Sequence, residues 1–350
     1  MSPPTWELSQ LTTTVALRYT EETGGTDITT HLPSPASGVG QLELARLADR
    51  AGEYAAAGHA ASTRSSYATA WSDFAAWCGM RGLSALPAVP EVVALYLSDR
   101  ASTLAVSTLA RRLVAIGHAH AGAGHPDPAD APAVRAVWRG IRRTHGVAAE
   151  GKTPLLVGQL RTALAGLDDD HLHVRRDRAL LLIGFAGAMR RSELVALDAG
   201  DVERTDDGLV VTIRRSKTDQ EARGRKLGIP HGTHPDTNPV RAWQAWTDAA
   251  GVSDGPLFRP VTRHGHLQPT RLSDRGVALA VKRAAARAGL DPARYSGHSL
   301  RAGFVTSAAA AHVEERLIQL QTGHRSLPTL RGYIRDGRLF HDNAAALVGL

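Results

Sequence analysis

Apolar residues recur every three or four positions through most of residues 41–147, a spacing that predicts a set of amphipathic helices. One helix is predicted to begin at Ser62 or Thr63 and end at Gly79, and others to begin at Pro90, Ser107 and Pro132. The apolar positions expected to face inward include Tyr67, Trp71, Phe74, Cys78, Leu109, Leu113, Ile116, Val134, Val137, Trp138 and Ile141. Because each helix has one apolar face, we expect these faces to pack around a common core.

Two segments lack this pattern and mark the predicted domain boundaries. Residues 1–40 are rich in Thr, Ser, Pro and Gly without sustained periodicity, which predicts a disordered tail. Residues 148–153 are small, polar and glycine-containing, which predicts a linker. The sequence therefore predicts a helical domain over residues 41–147 and a second domain over residues 154–340.

The second domain combines helical and strand patterns. Helices are predicted over residues 157–167, 178–189 and 273–288, and the middle one is apolar nearly all round, which predicts burial. Residues 208–215 have the strongest strand pattern, and residues 226–230 are a plausible return strand. The predicted fold class is therefore mainly α, with a small antiparallel β-sheet in the C-terminal domain.

Composition narrows the class of partner. The 350 residues carry a net charge of +7 and a pI near 10.0, which favours a polyanionic partner. A single cysteine, Cys78, excludes an intramolecular disulfide and any cysteine-rich zinc site. Paired histidines such as His171 and His173 lack nearby carboxylate or cysteine partners, so we expect no metal. The N-terminus lacks a signal-peptide pattern and the most apolar segment is too short to cross a bilayer, so we expect a cytoplasmic protein without membrane contact.

A stretch near the carboxyl end concentrates four side chains suited to phosphate chemistry: His298, Arg301, His324 and Tyr333. His298 and Arg301 are three positions apart at a predicted helix start, so both side chains project from one face. A Thr-Gly pair before His324 can end one helix, and the residues after it can open the next, which carries Tyr333. An arginine and two imidazoles near one phenol predict a site that binds a phosphate and attacks it.

These motifs resemble the catalytic signature of the tyrosine recombinases, the phage integrase family. HSLR at 298–301, TGH at 322–324 and the tyrosine nine positions later match that signature in order. GAMRRSEL at 187–194 is similar to the family's TGLRxSEL, and RSKT at 215–218 is similar to the RTKT of some members. The order of the first helices, with STR-x-x-Y and W-x-x-F-x-x-W, also resembles the family's core-binding domain. The resemblance covers roughly residues 60–340.

The resemblance implies a set of catalytic residues: Arg190, Lys217, His298, Arg301, His324 and Tyr333. Tyr333 would be the nucleophile, and His298 would accept its proton, because a free phenol ionises only near about pH 10. Arg190 and Arg301 would clamp the non-bridging phosphate oxygens, and His324 would hydrogen-bond one of them. Lys217 would protonate the departing 5′ oxygen.

One further residue is expected to support these catalytic residues, and two of them have an alternative nearby in the sequence. Glu193, one helical turn after Arg190, could orient Arg190 or His298. The charged Arg191 stands where the family commonly has an apolar residue, so it is an alternative to Arg190. Lys226 is the alternative to Lys217.

The resemblance further implies how the protein handles DNA. It implies a two-domain, C-shaped clamp on double-stranded DNA, with a SAM-like core-binding domain, and cleavage through a 3′-phosphotyrosyl link without metal or cofactor. It also implies four protomers in a synaptic complex. Arginines on the N-terminal helices are candidates for DNA contact: Arg64, Arg111, Arg112, Arg139, Arg142 and Arg143. Arg111 and Arg112 are expected to turn outward.

The last ten residues, 341–350, are predicted to form a helix with a possible contact to a neighbouring subunit. Phe340, Ala344, Leu347 and Val348 form an apolar stripe at helical spacing. A helix passed to the next protomer would close a ring, whereas packing within its own chain is the alternative.

Two other functions use a similar scaffold. One is a type IB topoisomerase, which would relax supercoiled DNA without site preference. The other is a DNA-binding protein that has lost catalysis, although no catalytic position is missing from this sequence. Dependence on one inverted-repeat site would favour a recombinase.

Overall fold

A computed structural model describes residues 60–146, 152–167, 170–214, 224–324 and 326–338, with single positions between 43 and 58 and Val348. The chain divides into two compact units, an N-terminal unit of residues 1–150 and a C-terminal unit of residues 151–350. Both are built mainly from helices, and the C-terminal unit adds a three-stranded antiparallel sheet. The predicted fold class, mainly α with a small antiparallel sheet, is therefore confirmed. The predicted tail and most of the predicted linker lie outside the described residues.

The N-terminal unit contains the helices that the apolar periodicity predicts. Its helices are α1 Ala61–Gly79, α2 Pro90–Arg100, α3 Val106–Gly122 and α4 Pro132–His145, with a 3₁₀ turn at Pro128–Asp130. The predicted cap of α1 is wrong, because Ala60 holds the N-cap position and makes no side-chain cap bond. Phe74, Leu109, Ile116 and Val134 are fully buried in one core. Trp71, Cys78 and Ile141 are buried in the same core, and Leu113, Val137 and Trp138 pack against it. Tyr67, which was also predicted to face inward, is only half-buried, with its ring against His118.

Arg112 departs from the prediction that it turns outward. Its guanidinium pairs with Asp73 of α1 and donates to the hydroxyl of Tyr96, at 2.7 Å. The Tyr96 hydroxyl donates to the same carboxylate at 2.7 Å, and Arg100 pairs with it at 3.3 Å. The buried Tyr96 phenol and the half-buried Asp73 carboxylate need partners, so this cluster draws Arg112 inward while the neighbouring Arg111 stays exposed.

The C-terminal unit alternates helices with a short meander of strands. Its helices are α5 Val157–Leu164, α6 Leu172–Ala186, α7 Arg191–Ala196, α8 Pro239–Ala250, α9 Asp274–Arg287, α10 Ser299–Ala310, α11 Glu315–Thr322 and α12 Leu327–Gly337. Its strands are β1 Val202–Thr205, β2 Gly208–Ile213 and β3 Arg225–Pro230. The buried helix α6 starts and ends earlier than predicted. Strand β1 was not predicted, because its four residues are too few to show alternation.

The sheet closes one side of the main core of this unit. Strands pair in the order β1-β2-β3, and Val211 faces Val202 on one side and Leu227 on the other. Their alternate side chains pack with α6 and with Trp246, whose indole N–H donates to the Leu257 carbonyl at 2.9 Å. No helix in the described parts of the chain has the length and apolarity needed to cross a bilayer.

A second, smaller core joins the last three helices. Val305 and Ala309 of α10, Ile318 of α11 and Leu330 of α12 are buried together. Tyr333 packs against this core, half-buried. The small core therefore fixes the position of the candidate nucleophile relative to α10.

Candidate active site

The candidate nucleophile and its candidate proton acceptor meet where α10 begins. His298 is the N-cap residue of α10, and Tyr333 lies in the middle of α12. The Nε2 atom of His298 lies 3.1 Å from the Tyr333 hydroxyl oxygen. This is hydrogen-bonding distance, so the imidazole can take the phenolic proton directly.

Burial and the neighbouring positive charges favour the neutral form of this imidazole. His298 as a whole residue is exposed, yet burial of its ionisable group is the main cause that lowers its pKa. The positive charges of Arg301, Arg190 and Arg191 lower this pKa further. A neutral imidazole at neutral pH is the form that accepts a proton, so the environment suits the predicted role.

Arg190 is positioned by Glu193. The carboxylate of Glu193, fully buried, accepts from the Arg190 backbone N–H at 2.9 Å and from its Nη1 at 2.6 Å. Of the two roles offered by the sequence, the geometry places Glu193 on Arg190 rather than on His298. Arg191 points elsewhere and pairs with Asp274 of α9 at 2.9 Å. The pairing therefore favours Arg190 over Arg191 as the phosphate clamp.

Arg301 is the most deeply placed cation of the site. Its side chain is 1% exposed, and Nη1 donates to the carbonyls of Ala188, at 2.8 Å, and Thr322, at 2.6 Å. Its Nη2 has no hydrogen-bond acceptor within the described residues. Burial is the main cause that lowers the pKa of Arg301 to about 10, so the guanidinium stays charged at neutral pH. A buried donor of this kind is suited to a phosphate oxygen.

His324 completes the cluster at the end of α11. Gly323 takes a left-handed conformation, φ 63°, that ends the helix and turns His324 toward the site. The Nδ1 atom of His324 lies 2.7 Å from the Thr322 hydroxyl. Burial first, and then the charges of Arg301 and Arg190, lower the pKa of His324 to about 4.

Arg225 belongs to the same cluster, although the sequence analysis did not select it. It begins β3, donates from Nη1 to the Gln321 carbonyl at 3.1 Å, and places Nη2 3.8 Å from the Glu193 carboxylate. Burial lowers its pKa, and its charge lowers the pKa of His324. Its place directly before the predicted return strand is the signal in the sequence that could have identified it. Lys226, the cation predicted as an alternative there, is exposed.

Lys217, the predicted general acid, lies outside the described residues, in the segment between β2 and β3. Arg214, the last described residue before that segment, pairs with Asp198 and with Asp201, the latter at 2.7 Å. Arg271 pairs with Asp198 as well. Ion pairs therefore tie both the end of β2 and the segment before α9 to the turn that follows α7. The role of Lys217 stays a prediction.

Close packing of α12 on α10 carries a testable consequence for Tyr333. A Cβ atom at Gly337 would lie 2.5 Å from the Thr306 carbonyl oxygen, whereas one at Gly332 would meet nothing within 4 Å. Gly337→Ala should therefore push α12 outward, lengthen the contact between Tyr333 and His298 and slow strand cleavage about tenfold or more. Cleavage kinetics and thermal unfolding check this expectation.

Gly332→Ala is the matched control, because it adds the same methyl group to the same helix in open space. It should leave cleavage unchanged and favour the helix slightly. Equal cleavage rates for the two variants would contradict the role assigned to this close approach.

In the N-terminal unit, the candidate DNA-contact arginines fall into two groups. Five are exposed: Arg64, Arg111, Arg139, Arg142 and Arg143. The sixth, Arg112, pairs with Asp73 and donates to the Tyr96 hydroxyl. Beside Arg111 and Arg112, α1 and α3 form a cleft lined by hydroxyl side chains: Ser62, Ser65, Ser66, Thr69 and Thr108. Hydroxyls around a guanidinium are groups that commonly contact DNA phosphates.

Comparison with known proteins identifies the family to which the chain belongs. The sequence profile of the phage integrase family matches residues 157–338. An integrase/recombinase xerD homolog of Selenomonas ruminantium is 41% identical over 286 residues, covering 81% of this chain and 84% of that protein. Recombinase cre of Escherichia phage P1 is 29% identical over 284 residues, covering 75% and 80%.

Solved structures show the same fold. The XerH site-specific recombinase bound to a palindromic difH substrate, in a post-cleavage complex, aligns with a TM-score of 0.64 at 17% identity and covers 95% of each chain. A lambda integrase dimer bound to a COC′ core site aligns with a TM-score of 0.55 at 17% identity, covering 79% of this chain and 89% of that one. At this identity the likeness establishes the fold alone.

The chain is thus a tyrosine recombinase, an enzyme that breaks and rejoins DNA strands at specific sites. It belongs to the phage integrase family. The topoisomerase and the catalytically silent alternatives receive no support from these comparisons.

Proposed function

We propose that this recombinase cuts one strand of its DNA site by attack of the Tyr333 hydroxyl oxygen on the scissile phosphorus. The observation that carries this proposal is the 3.1 Å contact between Tyr333 and His298 beside the buried Arg301. The phenolic proton passes to Nε2 of His298 as the new O–P bond forms. The bond to the 5′ oxygen breaks, which leaves a 3′-phosphotyrosyl link and a 5′ hydroxyl.

Arg190 and Arg301 stabilise the negative charge that develops on the phosphate during the attack. Arg190 is oriented by Glu193, and Arg301 is oriented by the carbonyls of Ala188 and Thr322, so both guanidinium groups are preorganised. Lys217 supplies the proton to the departing 5′ oxygen. The reverse reaction with a 5′ hydroxyl from a partner strand rejoins the DNA without cofactor or metal, because the covalent link retains the bond energy.

The N-terminal unit serves as the core-binding domain. Its exposed arginines and the hydroxyl-lined cleft between α1 and α3 contact the phosphate backbone of double-stranded DNA. The net charge of +7 supports binding to this polyanion. The protein is proposed to act in the cytoplasm.

Covalent trapping on genomic fragments tests site specificity. Wild-type protein incubated with nicked fragments and denatured in SDS should retain DNA from a few related sequences. Those sequences should contain an inverted repeat, since protomers of one kind bind as symmetric pairs. Adducts spread over unrelated sequences, together with relaxation of any supercoiled plasmid, would contradict site-specific recombination.

Synapsis is proposed to involve four protomers linked by their C-terminal segments. Phe340, Ala344 and Leu347 of the apolar stripe lie outside the described residues, and Val348 is 73% exposed. Leu317 and Leu320 on α11 are exposed by 47% and 64%, which leaves an apolar face in the same unit. The apolar surface exposed at Val348 and on α11 supports docking between subunits.

Deletion of residues 341–350 should therefore abolish synapsis while sparing the binding of one protomer to a half-site. The reason is that the deletion removes the docking segment but leaves helices α5 to α12 and the sheet intact. Sedimentation of protein–DNA complexes and a two-site recombination assay measure both properties.

Asp342→Ala combined with Asn343→Ala is the control, because both positions fall off the apolar stripe. This variant should recombine normally. Unchanged recombination by the truncated protein would show that the segment packs within its own chain or is dispensable.

A further inference from the structure

We propose that Thr322 is a positioning residue that fixes the tautomer of His324, with the proton on Nδ1 and the lone pair on Nε2. This inference rests on the proposed role of His324 at the scissile phosphate. It adds a requirement to that role: His324 must gain a proton before its Nε2 can donate a hydrogen bond to a phosphate oxygen.

The hydroxyl of Thr322 has several partners and only one proton. Thr322 is fully buried, and its Oγ1 lies 2.7 Å from the Ile318 carbonyl oxygen and 3.3 Å from the Gln319 carbonyl oxygen. A carbonyl oxygen can only accept, so the hydroxyl proton is directed to this helical turn. Oγ1 must then act as the acceptor for its third neighbour.

That neighbour is the Nδ1 atom of His324, 2.7 Å away. A contact of this length to an accepting oxygen requires a proton on Nδ1. In the neutral imidazole the other nitrogen then carries the lone pair. The His324 backbone is held as well, because the side-chain amide of Gln319 donates to its carbonyl at 3.1 Å.

The groups that face His324 oppose a second proton in the free protein. Arg301 and His298 face it from α10, Arg190 from the residue before α7, and Arg225 from β3. Together with burial, these groups hold the pKa of His324 far below its ordinary value. Neutral His324 therefore offers an acceptor where the phosphate also presents only acceptors.

A bound phosphodiester reverses this balance. Its negative charge lies among the same guanidinium groups and favours the imidazolium, which can donate from Nε2. The proton comes from solvent, so binding of the scissile phosphate is coupled to uptake of one proton at His324. The rate of cleavage should consequently fall as the pH rises above the pKa of His324 in the complex, by about tenfold per pH unit for one required proton.

Two substitutions at Thr322 distinguish the effect of its hydroxyl from the effect of its branched shape. Thr322→Val keeps the branched shape and removes the acceptor, so Nδ1–H loses its partner and the Nε2–H tautomer becomes favoured. Thr322→Ser keeps the hydroxyl and serves as the matched control. With Nε2 already protonated, the Val variant should lose less cleavage between pH 6 and 9 than the wild type, and the Ser variant should follow the wild type.

The deciding experiment needs no DNA. The full-length protein, labelled with ¹⁵N-histidine, is measured by long-range ¹H–¹⁵N NMR, and His324→Gln assigns the His324 signals. We expect the Nδ1–H pattern in the wild type and in Thr322→Ser, and the Nε2–H pattern in Thr322→Val. An Nε2–H pattern in the wild type, or an unchanged Nδ1–H pattern in Thr322→Val, would overturn the proposal.

The pH profile of cleavage forms the second arm and uses the duplex recovered by covalent trapping. The expected tautomers together with a flatter profile for Thr322→Val support the whole inference. Parallel profiles for the wild type and Thr322→Val would overturn the proton requirement. If no Tyr333-dependent cleavage occurs with any variant, the proposed function fails, whereas the NMR patterns still decide the tautomer by themselves.

Discussion

Replacing Tyr333 with phenylalanine will abolish strand cleavage, with a loss of at least about 10⁴-fold, because it removes the hydroxyl that contacts Nε2 of His298. The substitution removes one hydroxyl from a half-buried ring and breaks one hydrogen bond at 3.1 Å. The free energy of unfolding should therefore change by only about 1 kcal/mol. Affinity for duplex DNA should also persist, since the phosphate-binding cations remain.

Tyr295→Phe is the matched control for this prediction. Tyr295 lies in the same unit and is buried, 3% exposed, three residues before His298. Its variant should cleave DNA at a rate close to that of the wild type. Single-turnover cleavage, DNA binding and thermal unfolding are measured on all three proteins. Cleavage by the Tyr333 variant within about a hundredfold of the wild type would show that another group attacks the phosphate.

Replacing Arg301 is expected to impair both stability and chemistry. Arg301→Ala leaves the buried carbonyls of Ala188 and Thr322 without this donor, at a cost of about 1–3 kcal/mol for each unpaired group. Ala188 has φ 45°, a conformation unfavourable for alanine, so loss of this bond also weakens a strained turn. Cleavage should fall by about 10³-fold or more, because the site loses its most buried cation.

Arg301→Lys separates the two effects. Lysine keeps the positive charge but lacks the planar fork that reaches two carbonyls from one side and a phosphate oxygen from the other. Cleavage should fall by about 10²-fold or more, with a smaller loss of stability than for alanine. Arg331→Ala is the control, since Arg331 is 61% exposed and pairs with Glu315 on the surface. Cleavage by Arg301→Lys at nearly the wild-type rate would contradict the clamp.

The parts of the site that the sequence predicts are those set by local geometry. His298 and Arg301 share one face because they are three positions apart at the start of α10. Glu193 meets Arg190 for the same reason, since the pair spans one turn at the start of α7. In both cases helix periodicity alone fixes the relative positions, so no tertiary information was needed.

Contacts between distant segments could not be predicted in this way. Arg225 and Gln321 are 96 positions apart, and Arg112 and Asp73 are 39 apart. Arg112 stands at a polar position of its helix, so periodicity assigns it to solvent, but the half-buried carboxylate of Asp73 on a neighbouring helix binds it. Thr322 was seen as part of a helix end, and its contact with His324 depends on the left-handed turn at Gly323.

The central claim is that Tyr333 becomes linked to a 3′ phosphate of the DNA. The most direct measurement is mass spectrometry of the protease- and nuclease-treated adduct formed on a nicked duplex, with the free DNA end characterised in parallel. The account predicts a nucleotide on the peptide containing Tyr333, joined through its 3′ phosphate, and a free 5′ hydroxyl on the released strand. A nucleotide on any other residue, or a link through a 5′ phosphate, would contradict it.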